Sequence, residues 1–148
     1  MSELERPVRV ARVGLVVISH HAEVPDVAYA RREVQHIKAM LAELDRPIAL
    51  LTLADRVFPV ASSEVLAAYR EAAEGVTISA WAGVVAGVMG FAASIAFSIG
   101  ARVFAPEATP MRVFQRIPQA VAWLGATVEL GTSEDELVRV AERMSAGD

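Results

Sequence analysis

The chain has 148 residues, 54% of them hydrophobic and 22% charged, with 14 basic and 18 acidic side chains and no cysteine. That is the size of one domain with apolar material for its own core, which excludes intrinsic disorder. The net charge of −4, with basic residues scattered along the chain, argues against a nucleic-acid partner, and without thiols there are no disulfides, thiolate metal sites or cysteine nucleophiles.

Residues 1–7 read as an N-terminal tail, and the opening Met1–Arg12 lacks the apolar stretch of a signal peptide, which predicts a cytoplasmic protein. Val8–Arg12 alternates apolar and polar residues like a half-exposed strand. Gly14 allows a tight turn, and Leu15-Val16-Val17-Ile18 is a continuous apolar run suited to a central strand; the two predict a hairpin. Pro25 and Asp26 end the strand and open a helix that Asp26 can cap. Val27, Ala30, Val34, Ile37, Leu41 and Leu44 recur every three or four residues and predict one apolar helix stripe packed on a sheet, with Arg31, Arg32, Gln35, Lys38 and Glu43 elsewhere.

After Pro47, Ile48–Leu53 reads as a buried strand. Ser62 or Ser63 caps a helix running to about Glu74, with Val65, Leu66, Tyr69 and Ala72 inward and Gly75 closing it. Val76–Trp81 alternates as a strand, with Val76, Ile78 and Ala80 on one face and Thr77, Ser79 and Trp81 on the other. A Gly- and Ala-rich helix follows from about Val84 to Val103, its small residues allowing close packing on the sheet. Pro106 and Pro110 bracket a loop, and Met111–Phe114 is a short strand. Ile117-Pro118 starts a helix with proline in the first turn, where no amide bond is lost. Ser133 and Glu136 form a capping box for a last helix, with Leu137, Val140, Ala141 and Met144 inward.

Strands separated by helices imply a mostly parallel α/β sheet of about five strands, with one antiparallel edge from the hairpin and an extra C-terminal helix. The 26 residues Val76–Ala101 carry no Asp, Glu, Lys or Arg, enough to cross a bilayer. A buried strand and a buried helix give the same signature, and the alternating α/β pattern on both sides favours that reading over a membrane span.

Chemistry is sparse. His20-His21 falls at the carboxyl end of a strand, where α/β proteins place ligands. Neighbours in a strand point to opposite faces, so the pair cannot chelate one metal; it reads as a solvated loop pair, and His36 as a helix-surface residue. No metal site and no cofactor are expected. Asp55-Arg56 also follows a strand. Ser62 and Ser63, at a helix start, are cap residues and candidate phosphorylation sites, because phosphate is favoured at a helix N-terminus. There is no nucleophile elbow and no Walker sequence. Gly83–Gly90 has G-x-x-x-G-x-x-G spacing without a phosphate-loop lysine, which fits close helix packing better than a dinucleotide site. No catalytic residue is assigned. Trp81, Phe91, Phe97 and Phe104 read as core, or as the lining of an apolar pocket or subunit interface.

The phrase Pro110–Leu124 (PMRVFQRIPQAVAWL) and the element order over residues 8–125 resemble the STAS-like proteins, of the SpoIIAA or anti-sigma-factor-antagonist fold. In this phrase a P-x-R-x-F strand leads to an A-x-x-W-L helix. The resemblance implies a STAS-like domain at 8–125, with 126–148 as an extension whose helix packs on it. It also implies a non-enzymatic interaction or regulatory module, with a protein partner or a second copy of itself. In the antagonist family a serine at the start of the second helix is phosphorylated by a partner kinase. Ser62 and Ser63 fall near that place, although Phe58-Pro59-Val60-Ala61 replaces the family's Asp-Ser-Gly surroundings. The alternative is a carrier or sensor of a small apolar, lipid-like ligand held between the Val84–Val103 helix and the sheet.

Overall fold

The computed structural model describes residues 7–55, 62–72, 74–85 and 109–147. Five strands and four helices are described: β1 Val10–Val13, β2 Val16–His21, α1 Val27–Met40, β3 Ile48–Ala54, α2 Ser63–Ala72, β4 Ile78–Val85, β5 Met111–Phe114, α3 Ile117–Thr127 and α4 Glu134–Ser145. The strands form one sheet in the order β1-β2-β3-β4-β5. β1 is antiparallel to β2, and every other pair is parallel. The expected mixed, mostly parallel α/β sheet with an N-terminal hairpin is therefore present.

Two apolar layers sandwich the sheet. On its first face Val16, Ile18, Ala49, Leu51, Ala80 and Ala82 meet Ala120, Val121 and Leu124 of α3 and Leu137, Ala141 and Met144 of α4. Leu130 and α4, beyond residue 125, thus belong to the main core. On the second face Val17, Ile48, Leu50 and Trp81 meet Ile37 of α1, with Leu41, Leu44 and Met111 alongside. The alternation of side chains along each strand divides the residues this way.

Local chemistry sets the ends. Asp26 caps α1 by accepting from the Tyr29 amide at 2.7 Å. Ser133 caps α4 by accepting from the Glu136 amide at 3.1 Å. The other half of the expected capping box is occupied differently: the Arg139 guanidinium forks onto the Glu136 carboxylate at 2.9 and 2.5 Å. That hydrogen-bonded cation holds Glu136 below its ordinary titration range.

Several expectations need correction. α1 ends at Met40 rather than running to Leu44; Leu41 and Leu44 keep their apolar contacts from a turn. β2 runs through both histidines, which stand at its carboxyl end as expected, so the reading of them as loop residues does not hold. β4 starts at Ile78 and runs to Val85, so Val84 belongs to a strand and opens no helix. The face assignment at the start of β4 is also overturned. Ile48 pairs with Ile78 but Ala49 pairs with Ala80, so Ser79 is an extra residue, a β-bulge that reverses the alternation. Ile78 consequently packs with Trp81 on the second face, and Ala80 lies on the first.

Candidate functional site

The carboxyl ends of β2 and β3 hold His20, His21 and Asp55, which sequence reading singled out, and bring His21 to Glu33, which it did not. β2 keeps its extended alternation beyond Ile18, so His20 follows Ile18 onto the first face and His21 follows Val17 and Ser19 onto the second. The histidines therefore take different partners. His20 Nε2 lies 2.6 Å from Asp55 Oδ1, just past the end of β3. His21 Nε2 lies 2.5 Å from Glu33 Oε2 on α1. His20 is 4% exposed, and the His21 side chain is 15% exposed, which replaces the expected solvated loop pair. His36 is exposed on α1, as expected.

Glu33 was absent from the sequence reading, yet it is 3% exposed. Oε2 meets His21, and Oε1 accepts from the Tyr69 hydroxyl at 2.6 Å. One carboxylate thus bridges β2, α1 and α2. Its position was recoverable: residue 33 stands three after Ala30 and four before Ile37, on the inward stripe of α1. A buried carboxylate requires donors, and the imidazole and the phenol supply them. The edge of the His21 ring also faces Tyr29, with centroids 5.8 Å apart.

A second polar group crosses the middle of the sheet on the same face. Trp81 Nε1 donates to Thr52 Oγ1 at 2.9 Å, and Ser19 Oγ donates to the same oxygen at 3.3 Å. Trp81 is buried among Val17, Ile48 and Leu50, so its ring belongs to the core and its indole N–H is satisfied, as a buried tryptophan requires. Phe91, Phe97 and Phe104 lie outside the described residues.

Ser62 and Ser63 are both exposed at the head of α2. Ser62 Oγ accepts from the Val65 amide at 3.3 Å, the cap expected of it. A cleft of about 340 Å³ lies at the opposite, amino-terminal end of β3 and β4. Its walls include Lys38, Leu44, Arg46, Glu74 and Thr77. The apolar pocket expected between the Val84–Val103 helix and the sheet falls largely on residues outside the described set.

The His20–Asp55 pair joins an imidazole to a carboxylate at 2.6 Å. The nitrogen nearer the exposed Asp55 is already bonded. The other, Nδ1, is buried without a hydrogen-bond partner among the described residues. A neutral His20 that donates Nε2–H to Asp55 carries its lone pair on Nδ1. Long-range 1H–15N spectra at pH 8 are expected to show His20 as the Nε2–H tautomer. Asp55→Asn removes that fixed preference, and a dominant Nδ1–H form in the unsubstituted protein would overturn the assignment.

Among the described residues no group of three or more His, Asp or Glu side chains is placed to hold a metal ion. No helix among them is long and apolar enough to cross a membrane. Of the charge-free stretch, Ile78–Val85 forms a sheet strand, and residues 86–101 lie outside the described set. No family model, curated protein or solved structure matches the chain.

Proposed function

We propose that this chain is a non-enzymatic, STAS-like interaction module in the cytoplasm that docks a protein, a second copy of itself included, at the head of α2. The observation that carries the reading is the placement of Ser62 and Ser63: both exposed, in the first turn of a helix, with Ser62 Oγ on a free backbone amide. Phosphate on Ser62 would retain an acceptor oxygen there and add about −1.5 to −2 charges at the positive end of the helix dipole. Glu64, two residues further on, opposes that gain. The surface charge next to a docking partner would change while the fold stayed the same.

Mass spectrometry of the chain isolated from its own cells is expected to find one phosphate on the tryptic peptide Val57–Arg70, which contains both serines. Ser62→Ala with Ser63→Ala should cost about 1 kcal/mol, the value of a lost N-cap, and change partner binding. A phosphate-free peptide, with binding unaltered in the double variant, removes the switch. Lipid-sized excess mass on the natively sprayed, detergent-free protein would instead favour the apolar-ligand carrier.

A further inference from the structure

We propose that Tyr69, Glu33 and His21 form a latch that holds α2 against α1 and ties the position of its serine-bearing head to the carboxyl end of β2. The proposal rests on the reading of Ser62 and Ser63 as the regulated point, and it assigns the route by which a change there reaches the sheet. Three observations lead to it.

The first is how α2 packs among the described residues. Its main packing partner among the described residues is α1, through a small cluster of Ala30, Val65 and Ala68 flanked by Val27 and Tyr69. Two of its three buried members are alanines, which bury little area, so among the described residues apolar contact gives this helix less than α3 and α4 receive from the first-face core. Within that small α1–α2 interface the Tyr69–Glu33 hydrogen bond, 2.6 Å long, is a directional tie between the two helices.

The second is the isolation of Glu33. The carboxylate is 3% exposed and is bonded through both oxygens, to α2 on one side and to β2 on the other. Movement of α2 withdraws the phenol from a carboxylate that cannot turn to bulk water. Glu33 and its other partner, His21, must then readjust, because a buried charge deprived of a donor is costly.

The third is rigidity. Ser62 and Tyr69 stand about two helical turns apart on one helix, so displacement of the head is carried to the hydroxyl. Coupling of this kind needs an element with two discrete arrangements. Docked and released α2 are those two, with Tyr69 on or off Glu33.

Native-state hydrogen exchange tests the latch on the whole protein. Tyr69→Phe keeps the ring and deletes only the hydroxyl. Amides Leu66–Ala72 are expected to exchange about ten-fold faster, the effect of losing one bond to a charged group. The ring resonances of His21 should move, while amides of β3 and α3 keep their rates. Glu33→Gln, of the same shape but a weaker acceptor, should give the same pattern to a smaller degree. Unchanged α2 exchange, an equal acceleration in β3 and α3, or a stationary His21 ring in Tyr69→Phe would each overturn the latch. The test involves no phosphate: a phosphate-free Ser62 leaves a positive result standing, and a failed latch leaves the serine reading to its own experiment.

Discussion

Leu51→Ala is expected to lower the unfolding free energy by about 3–4 kcal/mol, within the range of buried leucine truncations. Leu51 sits in the middle of the central strand with no exposed surface. It is flanked in register by Ile18 and Ala82 and belongs to the cluster that α3 and α4 close over. The site collapses poorly. Ala82 is too small to fill a gap, and a backbone bonded to strands on both sides cannot move inward. The cost should therefore approach the upper part of the range, a large fraction of the roughly 5–15 kcal/mol that stabilises a domain. Equilibrium urea unfolding measures it as a lower midpoint at unchanged slope. A loss below about 1 kcal/mol would mean that the two helices do not pack over β3 as described.

Gly14→Ala is expected to cost about 2–4 kcal/mol through two separate effects. Gly14 has φ +60°, where a side chain costs about 1 kcal/mol. Its added Cβ would also lie 2.5 Å from the Leu130 carbonyl oxygen and 2.7 Å from the Gly131 carbonyl carbon. Both are backbone atoms, fixed in part because Leu130 O accepts from the Leu15 amide at 2.7 Å. Relieving that overlap forces the hairpin and the Leu130–Gly131 segment apart, at about 1–3 kcal/mol for overpacking of this kind. Gly75→Ala is the matched control. Gly75 also has positive φ, at +89°, but nothing among the described residues lies within 4 Å of its added Cβ. It should lose only about 1 kcal/mol. Thermal or urea unfolding of the two variants side by side separates backbone strain from the clash, and equal losses would disprove the close approach.

The parts of the fold that were legible were those with punctuation. Asp26 capped α1, Pro118 marked the first turn of α3, and Ser133 preceded α4. Met111–Phe114, between proline and a helix start, is a strand with the expected bounds. Where punctuation was missing, boundaries moved. Val84 and Val85 lie in a run of small apolar residues that suits a buried strand and a buried helix equally, and the sheet claimed them. The bulge at Ser79 left no trace in the alternation because period-2 reasoning presumes an unbroken ladder.

The site was legible in position but not in wiring. His20, His21 and Asp55 were placed at strand ends by pattern alone. Their burial depended on β2 persisting for three more residues, which neighbouring strands decide and local sequence does not. Glu33 was passed over because a charged residue on a helix is usually solvated. Its stripe position was the contrary signal, and only the docking of β2 and α2 on either side supplies the donors that make burial tolerable.

Strand order equal to chain order has a consequence for synthesis. Each strand leaving the ribosome finds its neighbour already made, so the sheet can lengthen at one edge during translation, at about 5–20 residues per second. The covering layer arrives differently. Val16 and Ile18 are made well before Leu137 and Ala141, which share their cluster. The apolar first face of a growing chain thus stays open to water, and to unwanted company, until α4 has emerged. A nascent chain stalled near residue 125 would be the form most in need of a chaperone.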